Sequence, residues 1–393
     1  MNKANSLPIK ATLLLTSTLT VMSGATIAPS LPAMQEHFAS VPNVELLVRL
    51  VLTIPALFIA IGGLFAGQLV DRLGRKPLLV VCTLLYGLAG ASGLVLNSLG
   101  TILVGRALLG LAVAGIMTGA TTLIADYYTG QSRANFMGLQ AAFMGLGGVV
   151  FLSVGGLFAD LNWRYPFLIY LSAWAICIAI ASFLYEPKRE VANQTASAST
   201  VTSMPIAVLA MIYGVALFYM VSFYLIPVQL PFYLKNLDNS SASAAGLAIA
   251  ASTLASAIAS LRYGVVKERL GYVQIVSVSF GVAAVGYFII GIASSYNLVL
   301  IGLIVAGLGF GLLMPNLNVW LSSIVDDALR GRALGGLTTF FFLGQFLSPI
   351  ISQPITNSVG LGRTYSLTGI ALLIVAIVFL CLRKQVKSFC QSC

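Results

Sequence analysis

Apolar positions along this chain neither alternate nor form amphipathic stripes. They run on in long blocks, broken by short polar stretches. The breaks predict twelve spans, at 10–33, 46–69, 77–97, 99–124, 136–158, 164–185, 205–230, 241–263, 273–293, 296–321, 333–357 and 364–383. Blocks of about 20 residues can cross about 30 Å of hydrocarbon as helices, which satisfy their own backbone hydrogen bonds there. A membrane β-barrel needs short alternating strands, and the continuous runs exclude it. The pattern predicts an all-α membrane protein.

The longest polar break, EPKREVANQTASASTVTSM at 186–204, has the composition of a solvated linker. It divides the chain into 1–185 and 205–393, six spans each. The halves also repeat. Asp71-Arg72-Leu73-Gly74 after the second span returns as Glu268-Arg269-Leu270-Gly271 after the eighth, with Gly74 and Gly271 197 residues apart. Arg133, Gly105, Gly110 and Met117 return as Arg330, Gly302, Gly307 and Met314 at the same offset. Six is an even number, so two such units share one orientation and pack as pseudo-symmetric six-helix bundles.

Charge then fixes the orientation. Only 8% of the 393 residues are charged and 59% are hydrophobic, against about 25% charged in soluble domains. The net charge of +10 is unevenly placed. With both termini cytoplasmic, sixteen of the 21 basic residues fall on the inner side. Arg49, Arg164, Lys235 and Arg363 fall outside, and Arg106 falls within the fourth span. That is the positive-inside bias, and it accounts for the basicity without a nucleic-acid partner. Lys3 and Lys10 precede a long apolar block with no small-residue cleavage site, so the start reads as the first helix.

Catalytic chemistry finds no support. There is one histidine, no metal-ligand cluster, no nucleophile–base spacing, and no glycine loop leading to Lys-Ser/Thr. Cys82, Cys177 and Cys381 fall in spans, and Cys390 and Cys393 form a tail pair too small for a closed zinc site. No cofactor is expected.

GQLVDRLGRKP, from Gly67 to Pro77, closely matches the loop signature between helices 2 and 3 of major facilitator superfamily transporters. RALLGLAVAG from Arg106 resembles that family's helix 4 motif, and NWRYPF before the sixth span is similar to bacterial members. The resemblance covers essentially the whole chain and is nearest to the twelve-span drug/proton antiporters. It implies a monomeric carrier of the plasma or inner cell membrane, working by alternating access. It also implies a latch. Gly67 permits close approach, and Gly74 and Pro77 make a tight turn. Asp71 is placed to accept amide hydrogens at the start of helix 11, near Arg332, while Arg75 reaches Asp126 at the end of helix 4. With Arg72, these residues are expected to hold the cytoplasmic side shut.

Inside the membrane, Arg106 is the single charge, and its repeat mate is Leu303. Three readings compete: a hub bonding backbone and polar groups of helix 1, a tuner of proton coupling, or a site for an anionic substrate. Antiport usually uses a buried carboxylate, yet all eleven acids fall at the two faces. Helix 5 also departs from the antiporter pattern, with Phe151-Leu152 where the family has Gly-Pro, so a straighter helix is expected. Tyr213, Tyr219 and Tyr224 on helix 7 could stack on a lipophilic substrate. Gln140, Asn316, Trp320 and Gln345 are candidate polar contacts. The leading expectation is proton-coupled export of a small amphipathic organic compound. The alternative is a carrier for an anionic metabolite bound by Arg106.

Overall fold

The computed structural model describes residues 6–187, 206–238 and 240–391. Apart from Glu186 and Pro187, the expected linker lies outside them, as does Cys393. The described residues contain no strand. Twelve helices are long and apolar enough to cross a membrane. In chain order they are α1 (Leu7–His37), α2 (Val44–Leu73), α3 (Arg75–Leu94), α4 (Leu99–Tyr127), α5 (Gly130–Leu161) and α6 (Tyr165–Phe183). There follow α7 (Ile206–Asp238), α8 (Ala242–Leu261), α9 (Tyr272–Gly291), α10 (Tyr296–Ile324), α11 (Asp327–Val359) and α12 (Leu361–Gln391). Helix α11 therefore starts at Asp327, a turn before the expected Arg332. A membrane helix continues past its apolar block wherever polar residues can cap it. Ser98 Oγ accepts from the Thr101 amide at the start of α4, and Ser241 Oγ accepts from Ala244 at the start of α8, both at 3.2 Å.

Two helices carry breaks. In α1 the α-helix stops at Ala25, passes through a tight turn at Ala28–Ser30 and resumes at Leu31. Pro29 and Pro32 have no amide hydrogen to continue the ladder. In α10 the break falls at Leu312. Helix α5, lacking the family's proline, is continuous from Gly130 to Leu161.

The sequence repeat reappears as packing. A Cβ at Gly110 on α4 would lie 2.4 Å from the Pro55 carbonyl oxygen of α2. A Cβ at Gly307 on α10 would lie 2.3 Å from the Ser252 carbonyl oxygen of α8. Both the glycines and the carbonyls are related by the 197-residue offset. Only glycine allows this approach of backbone to backbone.

With twelve crossings among the described residues, the start of α1 and the end of α12 lie on one face, here the terminal face; the opposite one is the far face. The halves meet where α2 packs on α11 and α5 on α8. A Cβ at Gly246 on α8 would lie 2.5 Å from the Leu152 oxygen of α5, close to the far face. Toward the terminal face the gap widens: a Cβ at Gly148 would be 3.5 Å from Thr253, and one at Gly145 would be 3.6 Å from Ala257. At Gly138 it would meet nothing within 4 Å. The halves are pressed together at the far face and parted at the terminal face.

Candidate functional site

The signature loop lies at the terminal face. Gly74 has φ +93°, a backbone conformation that favours glycine, and it turns the chain from α2 into α3. The Arg75 Nε donates to Asp126 Oδ2 at 3.0 Å, joining α3 to the end of α4. The Glu186 carboxylate accepts the Arg75 and Lys76 amides at 2.8 and 2.7 Å, capping α3 from the end of α6. Lys76 Nζ donates back to the Ala181 oxygen at 2.7 Å. Asp71 and Arg72 are exposed, and Asp71 makes no hydrogen bond or ion pair among the described residues. A Cβ at Gly67 would meet nothing within 4 Å. The contacts within one half are formed, while Asp71 is disengaged from α11, as parted halves require.

Arg106 is completely buried. Its Nε donates to the Val51 oxygen of α2 at 3.0 Å and its Nη1 to the Tyr170 hydroxyl of α6 at 2.9 Å. Its Nη2 donates to the Ser23 oxygen of α1. Pro55 explains the first bond, because it cannot supply the amide that would otherwise serve Val51. The Ser23 oxygen, just before the α1 break, also accepts from Tyr170 at 2.9 Å. These bonds are those of a hub.

Tyrosines pin the first helix of each half. Tyr86 of α3 donates to the Leu19 oxygen at 2.8 Å and Tyr170 of α6 to Ser23. In the second half Tyr287 of α9 donates to the Ser222 oxygen, and Tyr365 of α12 to Leu225 at 3.3 Å. The arginine is the addition peculiar to the first half.

Two of the expected substrate residues meet between the halves. Tyr224 of α7 and Gln345 of α11, both of the second half, lie side by side against α1 of the first half. A Cβ built on Gly24 of α1 would stand 3.6 Å from the Tyr224 hydroxyl and 3.8 Å from Gln345 Nε2. Behind Tyr224 lies an aromatic wall. Phe223 packs on Tyr224 at 6.0 Å between ring centroids, and Tyr219 packs on Phe223, Phe310 and Phe341 at 5.7–6.0 Å. Gln140 of α5 donates to Ser17 of α1 at 2.8 Å, within the first half.

The other candidates lie elsewhere. Tyr213 donates to the Ala333 oxygen of α11 at 2.8 Å and stacks on Phe340. Asn316 donates to the Tyr272 oxygen at 3.1 Å and accepts from Tyr263 at 3.4 Å. Burial, with neighbouring Tyr272 adding to it, pushes the Tyr263 phenol up to about 12, so it stays a neutral donor. Trp320 is fully buried and stacks on Tyr272 at 5.8 Å. These residues bind helices within the second half, and the structure does not bring Asn316 or Trp320 to Tyr224 and Gln345.

At the far face stands a network that the sequence reading missed. Arg49, counted outside the membrane, is only 3% exposed within α2. Its Nε donates to Gln229 Oε1 of α7 at 2.9 Å, and its Nη1 to Gln35 Oε1 of α1 at 3.1 Å and to the Glu45 backbone oxygen at 2.7 Å. The guanidinium lies 3.8 Å over the Phe232 ring. Gln229 donates to Gln353 Oε1 of α11 at 3.0 Å, and Gln353 donates to the Glu45 carboxylate at 3.0 Å. The predicted second span, 46–69, already enclosed Arg49 between Leu47, Val48, Leu50 and Val51, and that was the available signal against counting it outside.

The sequence model of the Major Facilitator Superfamily matches residues 13–235 and 211–388. Multidrug resistance protein 1 of Bacillus subtilis is 27% identical over 296 residues, 73% of this chain and 74% of that protein. Quinolone resistance protein NorA of Staphylococcus aureus is 23% identical over 321 residues, 80% of this chain and 82% of that protein. Among solved structures, a D-xylose–proton symporter superposes with a TM-score of 0.79 at 18% identity. That match covers 95% of this chain and 96% of the symporter.

Proposed function

The chain belongs to the Major Facilitator Superfamily, and on that premise we propose that it exports a small amphipathic organic compound by proton-driven alternating access. The carrying observation is the meeting of Gly24, Tyr224 and Gln345 between the halves, backed by aromatic rings. A flat or lipophilic molecule with one hydrogen-bonding group matches such a surface. No ion pair among the described residues lies there, so recognition rests on stacking and hydrogen bonding. The resistance proteins among the relatives support export as the direction, and the antiporter resemblance supports the proton gradient as the driving force.

The excess of basic residues on the terminal face supports reading that face as the cytoplasmic side of the cell membrane. The parted terminal face is then the loading state of an exporter acting as a single copy. An anion carrier built on Arg106 would have to release the guanidinium from its bonds to Val51, Ser23 and Tyr170.

Reconstitution into liposomes with an imposed pH gradient tests this reading, using cationic, neutral and anionic lipophilic dyes. Gradient-driven flux of cationic or neutral dyes is expected. Gly24→Leu, which fills the gap to Tyr224 and Gln345, should abolish it while the protein still inserts and elutes as wild type. Flux of anions alone, unaffected by the gradient or by Gly24→Leu, would overturn the proposal.

A further inference from the structure

We propose that Arg49, Gln229, Gln353 and Glu45 form the gate of the far face, a ring that must open each time the halves reverse. It rests on the alternating-access reading and adds to it the parts that shut the second face. The ring runs from α2 to α7, on to α11 and back to α2, crossing between the halves at Arg49–Gln229 and at Gln353–Glu45. Two further contacts lie at its rim. Lys235 of α7 pairs with Glu36 of α1, and Asp160 of α5 accepts the Ser243 amide of α8 at 3.2 Å.

The chemistry suits a contact made to be broken. Across the interface Arg49 meets a neutral amide oxygen and no carboxylate. A buried ion pair cut in two would strand an uncompensated charge on each side. Here each half keeps partners when they part. Arg49 retains Gln35 and the Glu45 backbone oxygen, and Gln229 retains Gln353 and Ser352. The residues that must separate also sit beside prolines within continuous helices: Pro227 and Pro231 flank Gln229, and Pro349 and Pro354 bracket Gln353. Proline removes ladder donors and permits bending there.

A gate of this kind has a consequence that ordinary packing lacks. If one rocking motion links the faces, weakening the ring must close the terminal face, where Asp71 then meets α11. Hydrogen–deuterium exchange on the full chain in lipid nanodiscs, without substrate, reads both faces at once. Arg49→Ala and Gln229→Ala should each raise exchange several-fold at the far-face ends of α2, α7 and α11. Each should slow it at 64–73 and 130–146. The double variant should match the single ones at both faces, since both remove the same crossing between the halves. Adding Asp71→Asn, which weakens the opposing clasp, should return both faces toward wild type.

Faster exchange confined to the neighbourhood of residue 49, with no slowing at the terminal face, would overturn the gate. So would fully additive effects of the two single variants. Gln229→Ala removes no charge, so it carries the test should Arg49→Ala fail to fold. A chain that still moves dye in liposomes while its faces exchange independently would sink the gate and leave the export reading standing.

Discussion

Pro55 and Arg106 are best understood together. A proline inside α2 frees the Val51 carbonyl, and in a membrane interior a bare carbonyl has no water to turn to. Arg106 supplies the donor and ties in Ser23 and Tyr170. At the matching positions of the second half stand Ser252 and Leu303, so proline and arginine are absent there together. Arg106→Leu should therefore lower stability by about 3 kcal/mol, because it leaves buried acceptors unpaired. Pro55→Ala in that background gives Val51 an amide partner again and should recover about 1 kcal/mol. Thermal unfolding in detergent checks both. No recovery in the double variant would mean that Arg106 acts mainly through Ser23 and Tyr170. The charge of Arg106 was legible in the sequence as an oddity in an apolar run. Its partners were not, because backbone oxygens carry no sequence label.

At the level of helices, the sequence announced the twelve blocks but not their ends. The predicted fifth span covered 136–158, while α5 runs from Gly130 to Leu161, since a helix continues into polar sequence when its last amides and carbonyls find partners. The repeat of Gly110 and Gly307 was visible as spacing; that each glycine meets a carbonyl of the neighbouring helix was not. Gly110→Val and Gly307→Val force side chains into spaces of 2.4 and 2.3 Å. Each should cost at least about 2 kcal/mol through overpacking, seen as loss of monodisperse protein on size exclusion. Equal losses in the two halves are expected, because the contact is the same one used twice. Glu186 was read as the first residue of a linker, yet it is the cap that fastens α3 to α6. Nothing in its local sequence distinguishes those roles, as its partners lie 110 and 111 positions away.

For the whole molecule, the closed far face and open terminal face fit one stage of a two-stage cycle. On the latch reading, Asp71, exposed here, would engage only in the other stage, where the start of α11 would come within its reach. Asp71→Asn is accordingly expected to leave expression and thermal stability within about 0.5 kcal/mol of wild type, as for other exposed positions, while cutting transport at least tenfold. Equal transport by the variant would show that the loop serves topology alone. The architecture of paired bundles was recoverable from the repeat, whereas the conformation was not. Both stages use one sequence, and their difference lies in contacts between segments far apart along the chain.

The glycine seam between α5 and α8 has a mechanical consequence. Where Gly246 faces Leu152 and Gly156 faces Ser243, main chain lies directly on main chain, with almost no rotamers to rearrange. Such a seam can act as a fulcrum, letting the bundles tilt without the jigsaw repacking that interlocked side chains would demand.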